Sequence, residues 1–168
     1  MLVWEIMRNW KNGHAALAWA EELKGELRND AVVLALNILA NSDPQAALDY
    51  LSTMPRGDSR HQAIANLFCT WGKVDHEAAL AAINSNIPKD ESSYAMNHVL
   101  MSWLNKDAIS AVNWIENVED TDLREHLIKS VTTTWRLRSP KATEAWINSL
   151  PESSAKQEAL AILNDEFL

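Results

Sequence analysis

Five histidines, one cysteine and a few acidic pairs are the side chains that could carry acid–base, metal or nucleophilic chemistry in this 168-residue chain. Their spacing limits what that chemistry can be. His14, His61, His76, His98 and His126 include no HExxH and no pair at i, i+4, the separation that lets two imidazoles on one helix face share a zinc ion. Cys69 has no base beside it in sequence and reads as a buried or half-buried structural thiol rather than a nucleophile. Gly13, Gly25, Gly57 and Gly72 stand too far apart to cradle a phosphate. Glu21-Glu22 and Glu119-Asp120 fall where helix surfaces or loops are expected, so no hydrolase follows from them.

One arrangement keeps catalysis open. Tyr94, His98 and His126 would serve an enzyme or cofactor-binding protein if neighbouring second helices brought them into one pocket. A basic segment, Arg124, Lys129, Arg136, Arg138 and Lys141, stands out against the acidic background. Positive charge near the C-terminal end of a helix is favoured by the helix dipole, which accounts for it; an acidic peptide is the alternative ligand.

The whole-chain charge of −8 repels a phosphate backbone, so no nucleic-acid partner is expected. A lone cysteine gives no evidence of an oxidising compartment. Met1 to Trp10 holds Glu5 and Arg8, so it has no apolar run of signal-peptide length, and no stretch is long enough for a membrane span. No membrane contact is expected, and cytoplasm is the default location. With 47% hydrophobic and 23% charged residues, dense Ala and Leu, four Gly and five Pro, the composition is that of a folded helical protein.

The elements that must position these groups recur on a 32-residue step. Asp43, Asp75, Asp107 and Ser139 align as N-cap types, with Pro44 and Pro140 at the first helical position. Behind them align the small residues Ala46, Ala78, Ser110 and Ala142, then Leu48, Leu80 and Val112 with Glu144 breaking the column, then Leu51, Ile83, Ile115 and Ile147. A second helix follows in each unit. Its columns are Ala63, Ala95, Leu127, Ala159; Ile64, Met96, Ile128, Leu160; Leu67, Val99, Val131, Leu163; and Trp71, Trp103, Trp135, Phe167. Positions i, i+1, i+4 and i+8 make one helical face. Neither helix of such a pair buries its stripe alone, so neighbouring units must stack.

Upstream the step shortens slightly: Ala15-Ala16-Leu17-Ala18-Trp19 lies 31 residues before Ala46 to Tyr50. The expected fold is all-α, a right-handed α-solenoid of about five two-helix repeats and about eleven helices, in one domain over 1–168. Its parts are a half unit at 1–12 and units at about 13–40, 41–72, 73–104, 105–136 and 137–168. Seven of the eight tryptophans fall into two columns, Trp10, Trp71, Trp103 and Trp135 closing second helices and Trp19, Trp114 and Trp146 within first helices. A ring that recurs with the structural repeat is expected to fill the seams between units; only Trp4 stands outside.

The pattern aromatic-x3-[Asp/Ser]-[Pro/x]-x-small-x-apolar resembles the α-solenoid superfamily of helical-hairpin repeats, which includes tetratricopeptide and HEAT-like arrays. It is closer to the Trp and Asp-Pro repeats of uncharacterised bacterial helical proteins than to the tetratricopeptide consensus, whose period is 34 and whose Trp sits early in the first helix. The resemblance spans essentially the whole chain and implies a stacked-hairpin fold; it carries no catalytic residues across. His76-Glu77 resembles one of the repeated His-Glu motifs of HEAT-repeat di-iron hydroxylases. That centre takes several such pairs, and the matching positions here are Pro44, Ala108 and Pro140, so no metal or other cofactor is expected.

In most two-helix solenoids the second helices line the concave side. The polar columns there are Gln62, Tyr94, His126 and Glu158, with Asn66, His98 and Ser130 one turn on. The expected function is therefore a non-enzymatic scaffold for a protein or peptide, contacted by Gln62, Asn66, Tyr94, His98, His126, Ser130, Arg136 and Arg138. A solenoid-based enzyme or a protein binding a small ligand or metal is the alternative. Apolar stripes at Val3, Ile6 and Trp10 and at Leu160, Leu163 and Phe167 also suggest a piece of a longer array, or self-association through the ends.

Overall fold

The structure, a computed structural model, describes residues 2–164. Among them are eleven helices and no strand: α1 (Leu2–Met7), α2 (Gly13–Glu22), α3 (Gly25–Ala40), α4 (Pro44–Thr53), α5 (Asp58–Val74), α6 (His76–Asn86), α7 (Lys89–Leu104), α8 (Ala108–Glu116), α9 (Thr121–Trp135), α10 (Pro140–Ser149) and α11 (Ser154–Asn164). The fold is all-α. None of these helices is long and apolar enough to cross a membrane. Phe167, expected to close the last column, lies outside the described residues.

Polar side chains start the helices. Asp43, Asp75 and Asp107 accept hydrogen bonds from the backbone N–H groups of Ala46, Ala78 and Ser110 at 3.0, 2.9 and 3.1 Å. Each satisfies one of the donors left over at a helix start. Ser139 holds the same place before α10, but its side chain makes no capping bond there; Pro140 with its fixed φ begins that helix. Prolines also end helices. Met54, Ile87 and Leu150 lie in extended backbone directly ahead of Pro55, Pro88 and Pro151, as the ring of a following proline requires.

The chain divides into two compact units, the first reaching Val99 and the second starting at Leu100. In the first, α2, α3, α4, α5 and α6 pack in succession, and α1 against α3 and α3 against α5 add a second layer of contacts between alternate helices. In the second unit α8, α9, α10 and α11 pack in succession and α9 lies against α11.

The second-helix columns form the core: Ala63, Ala95, Leu127 and Ala159 are fully buried, as are Leu67, Val99 and Val131 to within 1%. In the first helices the small-residue column is displaced by one. Ala46 and Ala78 are only half-buried and Ser110 and Ala142 exposed, whereas Ala16, Ala47, Ala79, Ala111 and Thr143 are all inaccessible. At Asp43, Asp75 and Asp107 the residue three beyond the cap is the one whose N–H the cap holds; the next residue is buried, as are Leu51 and its counterparts Ile83 and Ile115. One glycine permits a very close approach, since a Cβ on Gly13 at the start of α2 would collide with the Leu39 backbone near the end of α3.

Tryptophans join consecutive helices. Trp10 and Trp19 lie 5.8 Å apart between centroids, Trp103 of α7 and Trp114 of α8 6.3 Å, and Trp135 of α9 and Trp146 of α10 6.0 Å. The first-helix column has Ala82 where Trp71 would meet a ring, and Trp71 stacks on Phe68 instead, at 6.1 Å. Trp4, outside the columns, is 54% exposed. Of the apolar stripe expected to be presented at the start, Val3 is buried, Trp10 half-buried against Trp19, and Ile6 exposed; Leu160 and Leu163 are half-buried.

Candidate functional site

Each second helix opens with an acidic residue in its first turn, followed two residues later by a base, except in α7 and α11: Glu26 and Arg28, Asp58 and Arg60, Asp90 and Ser92, Asp122 and Arg124, Ser154 and Lys156. The acid suits the positive end of its own helix. In α5, α9 and α11 the base turns back to the helix before it, whereas Arg28 of α3 donates to the Tyr50 hydroxyl on the following α4 at 3.4 Å. Arg60 donates to the carbonyls of Leu51 and Met54, Arg124 to Val118 at 2.7 Å, and Lys156 to Leu150 at 2.8 Å and Asn148 at 3.2 Å. These carbonyls lie at or just past the ends of the helices before, where intrahelical donors run out, so the base ties each helix to the end of its predecessor. Arg60 is also paired with Glu91 of α7 through contacts of 2.9–3.1 Å, and Arg56 with Asp90.

Within the basic segment Arg124 makes that tie, and two of its other members reach α11. Lys129 pairs with Glu158 at 2.9 Å, and Arg136, the C-cap of α9, donates to the Ile162 carbonyl at 2.8 Å. Arg138 and Lys141 are exposed.

In the first unit α1, α3 and α5 lie side by side, and the groove along them has a volume of about 480 Å³. Its walls carry Trp4 of α1, Leu27, Asp30 and Leu34 of α3, and Asp58, Gln62 and Asn66 of α5. Gln62 donates to the Asn66 Oδ1 at 3.1 Å, so two of the residues expected to contact a partner form one polar strip on the groove wall. Among the described residues neither Asp30 nor Asp58 has a hydrogen bond or ion pair from another side chain. A smaller depression sharing Trp4 and Leu34 continues toward Arg8, whose guanidinium sits 5.7 Å from the centroid of the Trp4 ring.

Tyr94 and His98 come together on α7, ring centroids 4.7 Å apart in edge contact, and His61 of α5 meets the other side of Tyr94 at 5.7 Å. Burial holds the His98 pKa below the usual histidine range, which favours the neutral imidazole. His126 is exposed on α9 in the second unit, where Ser130, half-buried, accepts a hydrogen bond from the Thr134 hydroxyl at its carbonyl. His76 is half-buried at the start of α6, and Cys69 is half-buried on α5. Among the described residues no group of three or more His, Cys, Asp or Glu is placed to hold a metal ion.

The groove was within reach of the repeat. One more 32-residue step back from Gln62 gives Asp30, and from Asn66 gives Leu34, so both belong to columns already identified. Trp4 and Leu27 had no periodic signal and emerge only from packing. No protein-family model, curated protein or solved structure matches the chain.

Proposed function

We propose that this chain is a non-enzymatic, right-handed α-solenoid of hairpin repeats that binds a protein or peptide along its second helices. One observation carries the reading: the open groove over α1, α3 and α5 combines exposed apolar side chains with polar groups that the fold itself does not use. Trp4 and Leu27 are each 54% exposed there, unlike the tryptophans that close the seams. Recognition sites commonly join an accessible aromatic anchor to a polar margin. The side chains that do carry chemistry elsewhere are accounted for by packing: His98 lies against Tyr94, and the bases cap helix ends.

The test is affinity capture from cells of the source organism with three proteins: the wild type, a second-helix variant with Leu27, Gln62 and Asn66 changed to Ala, and a first-helix variant with the exposed Gln45 and Glu77 changed to Ala. The reading expects the same partner with the wild type and the first-helix variant, and its loss with the second-helix variant. Equal recovery with all three would overturn it.

A further inference from the structure

The groove over α1, α3 and α5 is acidic at one end. Asp30 of α3 and Asp58 of α5 both line it; the arginines of the adjoining depression that Asp58 also borders are engaged elsewhere, Arg56 by Asp90, Arg60 by Glu91 and Arg28 by the Tyr50 hydroxyl. Neither carboxylate is engaged by another side chain among the described residues, whereas the acids nearest in the repeat are: Asp90 pairs with Arg56 and Glu91 with Arg60. An apolar floor adjoins them, formed by Leu27, Val33 and Leu34, with the Trp4 ring opposite on α1. At the far side of Trp4 and Leu34 the depression reaches Arg8.

Resting on the peptide-binding reading above, we infer that this groove takes a segment of a partner protein that sets a lysine or arginine between Asp30 and Asp58 and an adjacent large apolar side chain against Trp4 and Leu27. Two unengaged carboxylates favour a cation and repel an anion, so charge selects the ligand while the apolar floor supplies contact area. The same carboxylates oppose an anionic lipid surface, which would otherwise suit an exposed tryptophan and leucine. Arg8 at the other end gives the groove a charge polarity, and with it a direction for the bound segment.

Two synthetic peptides test the inference. They share their Leu and Phe positions and differ only in carrying Arg or Glu at every charged position, and each is titrated into the full chain while amide and indole ¹H–¹⁵N signals are recorded. The Arg peptide is expected to shift the Trp4 indole and the amides of residues 27–34 and 58–66, with at least about tenfold tighter binding than the Glu peptide. The D30N/D58N variant should lose about tenfold in affinity for the Arg peptide, and D30K should reverse the preference; the spectra report directly whether each variant is folded. Equal binding of both peptides, unchanged affinity in D30N/D58N, or no groove shift with either peptide would overturn the inference. A partner captured through the second-helix face that is insensitive to D30N/D58N would sink the charge assignment and leave the peptide-binding reading standing. Capture through another face would remove both.

Discussion

Arg60 and Glu91 form a two-pronged ion pair at 2.9–3.1 Å in which both side chains are nearly inaccessible, 7% and 4% exposed. It fixes α7 against α5, while another arm of the same guanidinium holds the carbonyls at the end of α4. A buried pair of this kind contributes little over an apolar substitute, but breaking it strands a charge. E91A is therefore expected to lower stability by about 3–5 kcal/mol in urea denaturation. The double change R60M/E91L should cost clearly less than E91A alone. A double variant as damaged as the single one would mean that the loss comes from packing.

The paired tryptophans should matter unequally. Trp135 is 5% exposed and faces Trp146, whereas Trp4 is 54% exposed. Truncating a buried tryptophan costs about 3–5 kcal/mol, so W135A should show a loss of that order. W4A should fall within about 0.5 kcal/mol, the range for surface positions. Chemical denaturation of both variants checks this, and a large loss for W4A would assign that ring to the core.

Aligned cap positions should separate as well. Asp75 holds the Ala78 N–H at 2.9 Å, and Ser139 makes no such bond. D75A is expected to cost about 1 kcal/mol, typical of a lost N-cap, and S139A distinctly less. Thermal melts of the two variants compare them directly.

His98 makes stability depend on pH in a stated direction. Its folded pKa lies below the ordinary 6.5 because burial disfavours the imidazolium. Below about pH 6.5 the unfolded chain therefore binds more protons at this site than the folded one, and stability falls as pH falls from there toward the lowered value. Above that window the contribution is complete. Denaturation at pH 7.5 and 5 should show a larger acid loss in the wild type than in H98Q; equal losses would contradict the burial.

The 32-residue sequence pattern was the legible part of this molecule because helix starts and buried faces each demand particular residue types. Asp43, Asp75 and Asp107 cap helices alike, Leu67, Val99 and Val131 of one column are buried, and tryptophan pairs recur at Trp10–Trp19, Trp103–Trp114 and Trp135–Trp146, with Trp71 the exception. The small-residue column was off by one because Ala46 and Ala47 are both alanine and composition cannot say which faces inward. The bases at Arg60, Arg124 and Lys156 share the same step, but a surface charge and a helix-capping one read alike in sequence. At the candidate site, Gln62 and Asn66 were legible through their columns, and Asp30 and Leu34 lay one step further back. Trp4 and Leu27 were not, since their exposure depends on how α1 settles on α3.

Amide hydrogen exchange of the chain alone and with its captured partner gives the most direct test of binding through the second helices. Protection is expected over residues 27–38 of α3 and 58–70 of α5, with α2, α4 and α6 unchanged. Protection confined to α2, α4 and α6 would place the partner on the first helices and contradict the proposed mode of binding.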